Sequence, residues 1–185
     1  MKKRMILGVA VLALAAAMVV FADNFKSIKE VLTGFEEVPA VSTVGNGEFS
    51  ATINKAETQI SYRLSYSGLE GNIQQAHIHF GQKGVNGGIS VWLCSNLPSP
   101  PTPASPPFPP TQACLSSPAT ITGVITPNHV VGPAGQGIAA GEWAELLRAI
   151  RAGKTYVNIH TDKFPGGEVR SQIDHGDGNE HGTHK

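Results

Sequence analysis

Several kinds of chemistry are missing from this chain of 185 residues, and each gap narrows what it can do. There is no Gly-x-Ser-x-Gly elbow, no phosphate-cradling Gly-rich loop ending in Lys and no dinucleotide fingerprint, so hydrolase and nucleotide readings start without a motif. There is no His-Glu-x-x-His and no cysteine-rich ligand pattern. Cysteine occurs only at positions 94 and 114. Charge is also scarce: Asp, Glu, Lys and Arg make up 15% of the chain, and the one tight basic cluster is Lys2-Lys3-Arg4 at the start. Nucleic acids and anionic membranes are held through clustered Lys and Arg, so neither is an expected partner.

That basic cluster precedes an apolar run from Met5 to Phe21 and a small residue, Ala22, the three-part pattern of a secretory signal. The expected cut follows residue 22, giving a signal of 1–22, and an uncleaved N-terminal anchor is the alternative. No membrane span remains once the signal is removed. Without it the chain carries 11 basic and 14 acidic residues, a formal charge of about −3, in a length that suits one domain with a real core. The expected location is secreted, periplasmic or cell-surface.

Export sets the cysteine chemistry. In an oxidising compartment Cys94 and Cys114 are expected to form a disulfide, their spacing suiting a staple and not a catalytic dithiol. Nine of the 13 prolines fall between Pro98 and Pro118, so the stretch 95–118 reads as a stiff, extended loop tied at its base.

Period-2 alternation dominates the remainder. Phe49, Ala51 and Ile53 share one face of Glu48–Asn54, and Ile60, Tyr62, Leu64 and Tyr66 share one face of Gln59–Ser67. With the turn Asn54-Lys55-Ala56-Glu57-Thr58 between them, these two runs predict a β-hairpin. Further strands are expected at Lys29–Gly34, Ile73–Phe80, Ile89–Cys94, Thr120–Ile125, Thr155–Thr161 and Glu168–Ile173. One segment has the helical period: Trp143, Leu146, Leu147 and Ile150 lie at i, i+3, i+4 and i+7, with Arg148 and Arg151 in the last turn and Gly153 beyond. The fold class is therefore all-β, an antiparallel Greek-key-like sandwich or barrel with one short crossover helix. Residues 174–185 have no apolar period and read as a disordered tail.

Two histidines, His77 and His79, stand at i and i+2 of the Ile73–Phe80 strand. They leave on one side with Cα atoms about 6.6 Å apart, while Ala76, Ile78 and Phe80 take the other. His160 has the same phase on Thr155–Thr161, opposite Val157 and Ile159. If the two strands share a sheet, three neutral imidazoles converge, a sufficient set for copper or zinc; the alternative is three hydrogen-bonded side chains that fix the neighbouring loop. Oxidised cysteines offer no thiolate, which excludes a blue-copper centre. Glu168 and Arg170 share one face of the last strand, either as a solvated or mutually paired couple or with Arg170 holding an anion near the histidines. Glu36 and Glu37 read as loop residues. His175, His181 and His184 lie in the tail, solvated or loosely collecting metal.

Four blocks together, Leu32-Thr33-Gly34-Phe35-Glu36-Glu37-Val38-Pro39-Ala40, Ala76-His77-Ile78-His79-Phe80-Gly81, Tyr156-Val157-Asn158-Ile159-His160-Thr161 and Phe164-Pro165-Gly166-Gly167-Glu168-Val169-Arg170, resemble the chordin-type (CHRD) domain. The resemblance covers roughly Ser27 to Ile173, with Ser171 in place of the usual Gly, and assigns 23–173 to that domain. It implies a secreted β-rich module whose partners are extracellular or envelope proteins, and it carries no accepted catalytic residue. A weaker likeness to copper/zinc superoxide dismutases would make His77, His79 and His160 copper ligands and Arg170 an anion guide, but the zinc half is missing unless His129 serves. The leading expectation is thus an exported CHRD module that binds copper, or zinc in its place, through three histidines in a storage, sensing or weak redox role. The alternative is a metal-free interaction or structural module, and a dismutase-like enzyme comes third.

Overall fold

A computed structural model describes residues 27–97 and 110–174. The signal segment, the centre of the Pro-rich stretch and the tail with His175, His181 and His184 lie outside the described residues.

Eight strands form one antiparallel sheet: β1 (Ser27–Thr33), β2 (Asn46–Ile53), β3 (Ile60–Ser67), β4 (Ile73–Phe80), β5 (Gly88–Ser95), β6 (Ala119–Ile125), β7 (Thr155–Thr161) and β8 (Val169–Ile173). Their spatial order is β5-β4-β7-β8-β1-β2-β3-β6, so the meander β1-β2-β3 is joined to the rest through crossovers. Alternation does what the sequence predicts. In the hairpin, Phe49 pairs with Leu64 and Ala51 with Tyr62, and all four side chains point into the core. Ile28, Leu32, Ile78, Val91, Leu93, Val157, Ile159, Val169 and Ile173 fill the same interior from the other strands.

The sheet curls until its end strands nearly meet, giving a barrel-like body. β5 and β6 do not pair along their edges; the segment between them bridges the gap. The Gln112 side-chain amide reaches the carbonyls of Leu93 on β5 and Thr122 on β6, both at 3.2 Å, and the Tyr62 hydroxyl at 2.7 Å. Ser95 N–H donates to the Gln112 carbonyl at 2.9 Å, and the Cys94–Cys114 disulfide locks the same junction with Cα atoms 5.0 Å apart. Elsewhere along β5, Val131 N–H donates to the Ser90 carbonyl at 2.9 Å. The bonds to the Leu93, Thr122 and Ser90 carbonyls and from Ser95 N–H satisfy edge groups that would otherwise template pairing with another chain.

Helix α1 (Trp143–Arg151) lies in the crossover from β6 to β7. It buries Leu146, Leu147, Ala149 and Ile150, about 1.5–3 kcal/mol for each large aliphatic side chain relative to exposure. Arg151 pairs with Glu57 of the β2–β3 turn at 2.7 Å, which fixes the helix at that end of the barrel. Among the described residues no helix is long and apolar enough to cross a membrane.

Candidate metal centre

In β4 the interior takes Ala76 and Ile78, which sends His77 and His79 to the outer face. Register then decides what they meet. His77 stands opposite Trp92 of β5 and Asn158 of β7, His79 opposite Tyr156, and Gln75 opposite His160; one strand further on, Asn158 stands opposite Arg170 and Tyr156 opposite Gln172. The outer face of β5, β4, β7 and β8 thereby gathers three histidines, four further polar side chains and two aromatic rings. It is not solvated: His77, His79 and His160 are 1%, 8% and 7% exposed.

Two loops cover this face. In the segment joining β4 to β5, Gly87 is required by close approach, since a Cβ there would sit 1.7 Å from the Phe80 carbonyl oxygen. The segment after β1 brings in Glu37 and Val38. The two are joined by Asn86 Nδ2, which donates to the Val38 carbonyl at 2.8 Å, and by a Lys83–Glu36 ion pair at 3.3 Å. A third contribution comes from Pro165, in the turn between β7 and β8.

His77, His79 and His160 each offer a ring nitrogen, and these donor atoms lie within 4.8 Å of one another. His79 Nδ1 is 2.9 Å from the Gly87 carbonyl, and His160 Nδ1 is 2.9 Å from the Pro165 carbonyl. A carbonyl can only accept, so both rings carry a proton on Nδ1 and, when neutral, a lone pair on Nε2. His77 Nδ1 lies 3.3 Å from His79 Nε2, while His77 Nε2 is buried without a hydrogen-bond partner. No neutral tautomer of His77 satisfies both of its nitrogens. With the proton on Nδ1, the buried Nε2 lone pair is orphaned; with it on Nε2, two lone pairs face each other across 3.3 Å.

The aromatic walls fix the rings. Trp92 meets His77 edge to face with centroids 4.2 Å apart, and Tyr156 stacks on His79 at 4.7 Å with the planes 2° apart. Behind Tyr156 lies the Arg170 guanidinium, 3.4 Å from the ring centroid. Burial pushes His77 down to about 2, helped by its two histidine neighbours, and His79 down to about 4 against the opposing pull of the Gly87 carbonyl. Burial also lowers His160, so at neutral pH all three rings are uncharged, the form that ligates metal. Glu37 moves the other way, pushed up to about 7 by burial while Arg170 and Asn158 pull it back.

The three predicted histidines thus come together, whereas His129 stays apart, its Nδ1 accepting from Thr126 N–H at 3.1 Å. The solvated Glu168–Arg170 couple is overturned. Both residues are buried, and they bond different partners: Glu168 accepts from the Thr43 and Thr161 hydroxyls and from Glu70 N–H, tying three loops together. Arg170 donates to Asn86 Oδ1 at 3.0 Å and the Val85 carbonyl at 2.9 Å. Glu37 is in a loop as expected, yet only 5% exposed, and nothing in its sequence surroundings signals that burial. Trp92 was detectable in principle, because alternation in Ile89–Cys94 sets it opposite the buried phase of Val91 and Leu93.

Comparison of the chain with curated proteins and with solved structures found no match, so the dismutase likeness gains no support from them. The family comparison did find one. It matches the CHRD domain over residues 28–173, which takes in all of the strands but the first residue of β1, the helix and all three clustered histidines. The chain belongs to the CHRD domain family.

Proposed function

We propose that this is an exported CHRD module that holds one transition-metal ion, copper first and zinc as its competitor, on His77, His79 and His160, in a storage, sensing or weak redox role. The observation that carries the reading is the convergence of three buried imidazoles whose donor nitrogens lie within 4.8 Å of one another. With the His77 proton on Nε2, the lone pairs of His77 Nδ1 and His79 Nε2 face each other, and a cation accepts both at once. Metal–nitrogen bonds of about 2.0–2.1 Å in a tetrahedral site put neighbouring donors about 3.3–3.4 Å apart, and the two nitrogens stand at 3.3 Å. The locked Nδ1–H groups of His79 and His160 add the outer support that metal-binding histidines ordinarily have.

The burial of all three rings favours retention of an ion over turnover. A dismutase would require Arg170 to meet an incoming anion, but that guanidinium is 1% exposed and bonded to Val85 and Asn86. Family membership together with the N-terminal signal supports an extracellular, periplasmic or cell-surface setting.

A metal-free interaction module is the second reading, favoured by Phe35, which is 77% exposed on one of the covering loops, and by Leu115, 53% exposed beside the disulfide. The deciding measurement is copper and zinc content and affinity of the exported chain, purified without an affinity tag and with His175, His181 and His184 changed to Gln. One equivalent of metal is expected, with a loss in affinity of at least about 100-fold for each of His77→Ala, His79→Ala and His160→Ala. Parent-like metal content in those three variants, or a parent that takes up none, leaves the interaction module standing alone.

A further inference from the structure

Three imidazoles leave one side of a four-coordinate ion open, and the residue that faces it is on the same outer surface. Asn158 sits between Tyr156 and His160 on β7, with His77 opposite on β4 and Arg170 opposite on β8, and it is 3% exposed. Its Oδ1 lies 3.1 Å from His160 Nε2. Because Pro165 requires the His160 proton on Nδ1, the neutral ring turns a lone pair toward an oxygen that also can only accept. The two acceptors stand within the donor-to-donor spacing of one tetrahedral ion, as His77 Nδ1 and His79 Nε2 do when the His77 proton is on Nε2.

Resting on the three-histidine reading, we propose that the Asn158 carbonyl oxygen, which stands 3.1 Å from His160 Nε2, is the fourth ligand of the metal, closing a three-imidazole, one-amide site. The chemistry of the donor set follows. An amide oxygen is a hard donor that suits a divalent ion, whereas Cu(I) prefers soft sulfur ligands. The site therefore selects Cu(II) or Zn(II) and keeps no position for a substrate.

The test uses the exported chain with the three tail histidines changed to Gln, loaded with Cu(II) or separately with Cu(I). Asn158→Leu, similar in size but without the donor, is expected to lose about 10- to 100-fold in Cu(II) affinity with a changed electron paramagnetic resonance spectrum, and to keep its Cu(I) affinity. Asn158→Asp, which retains an oxygen at the same place, is expected to keep Cu(II). A measurement on the unsubstituted site guards against misfolding: with asparagine labelled by carbon-13 at Cγ, the parent Cu(II) complex should show hyperfine coupling to that carbon. Absence of the coupling, or parent-like Cu(II) affinity in Asn158→Leu while the histidine variants lose copper, overturns the amide ligand and leaves the three histidines in place. Copper content unchanged in every variant, histidines included, overturns both readings together.

Discussion

The two halves of the barrel treat their outer faces in opposite ways. On β2 and β3 the alternation is complete: Phe49, Ala51, Tyr62 and Leu64 are buried while Glu48, Thr52, Ser61 and Arg63 stand in solvent. On β7 and β8 every residue is buried, including Asn158, His160, Arg170 and Gln172. Both halves carry the same apolar-polar pattern, so pattern alone does not distinguish a solvated face from a covered one. The difference comes from the loops. Covering polar side chains costs free energy unless each finds a partner, and on this half the partners are supplied by Val85, Asn86, Gly87 and Pro165.

The comparison is tested most severely at its two arginines. Arg170→Ala removes the Tyr156 stack and the bonds to Val85 and Asn86, and leaves Glu37 buried without its neighbouring cation. A loss of about 3–5 kcal/mol is expected in urea unfolding, against within about 0.5 kcal/mol for Arg63→Ala on the open face. Equal effects would mean that the covered face is no more committed than the open one.

Next in size is the staple where the end strands of the two halves meet. Replacing Cys94 and Cys114 by Ala should cost about 3 kcal/mol through the freedom returned to the unfolded chain, and the parent should show no free thiol when denatured without reductant. Two adjacent glycines then divide covered from open chain. Gly167→Ala puts a Cβ into the Glu37 carboxylate at a positive φ, for about 1–3 kcal/mol, while Gly166→Ala, with no atom within 4 Å, should leave the thermal midpoint unchanged.

The smallest effect belongs to the other junction, where β1 and β8 meet through the single pair Thr33–Arg170. Glu30 lies there between Ile28 and Leu32, accepting from Asp174 N–H at 3.2 Å, and burial raises it from 4.5 to about 7. A carboxyl raised in the folded state contributes stability that is complete below its unfolded value and is lost as the pH climbs through about 7. Glu30→Gln should flatten the decline between about pH 4.5 and 7, by under about 1 kcal/mol because the group is only half-buried; a decline left unchanged assigns it to other groups.

Much of this could be read from residue order. The hairpin, the helix with its Gly153 stop, the disulfide and the shared phase of His77, His79 and His160 all follow from local period or compartment chemistry, which neighbouring residues determine. What escaped was non-local. Glu37 and Arg170 look like ordinary surface charges because their burial depends on where the segments after β1 and β4 fold back, and no period encodes that return. Asn158 had the correct phase, but its significance depends on cross-strand neighbours from β4 and β8 that only the register supplies.

The stapled junction also bears on how this chain can change in length. Cys94 and Cys114 hold the two ends of the Pro-rich excursion 5.0 Å apart at Cα, and Gln112 and Asn96 fasten the same base. Closing a longer loop costs only about 0.6 kcal/mol per doubling of its length, and the barrel below meets the same fixed end points whatever is inserted between them. The junction is thus a permissive graft point, where a lineage or an engineer can lengthen, shorten or replace residues 98–109 without asking the three-histidine face, on the outer side of another part of the sheet, to readjust.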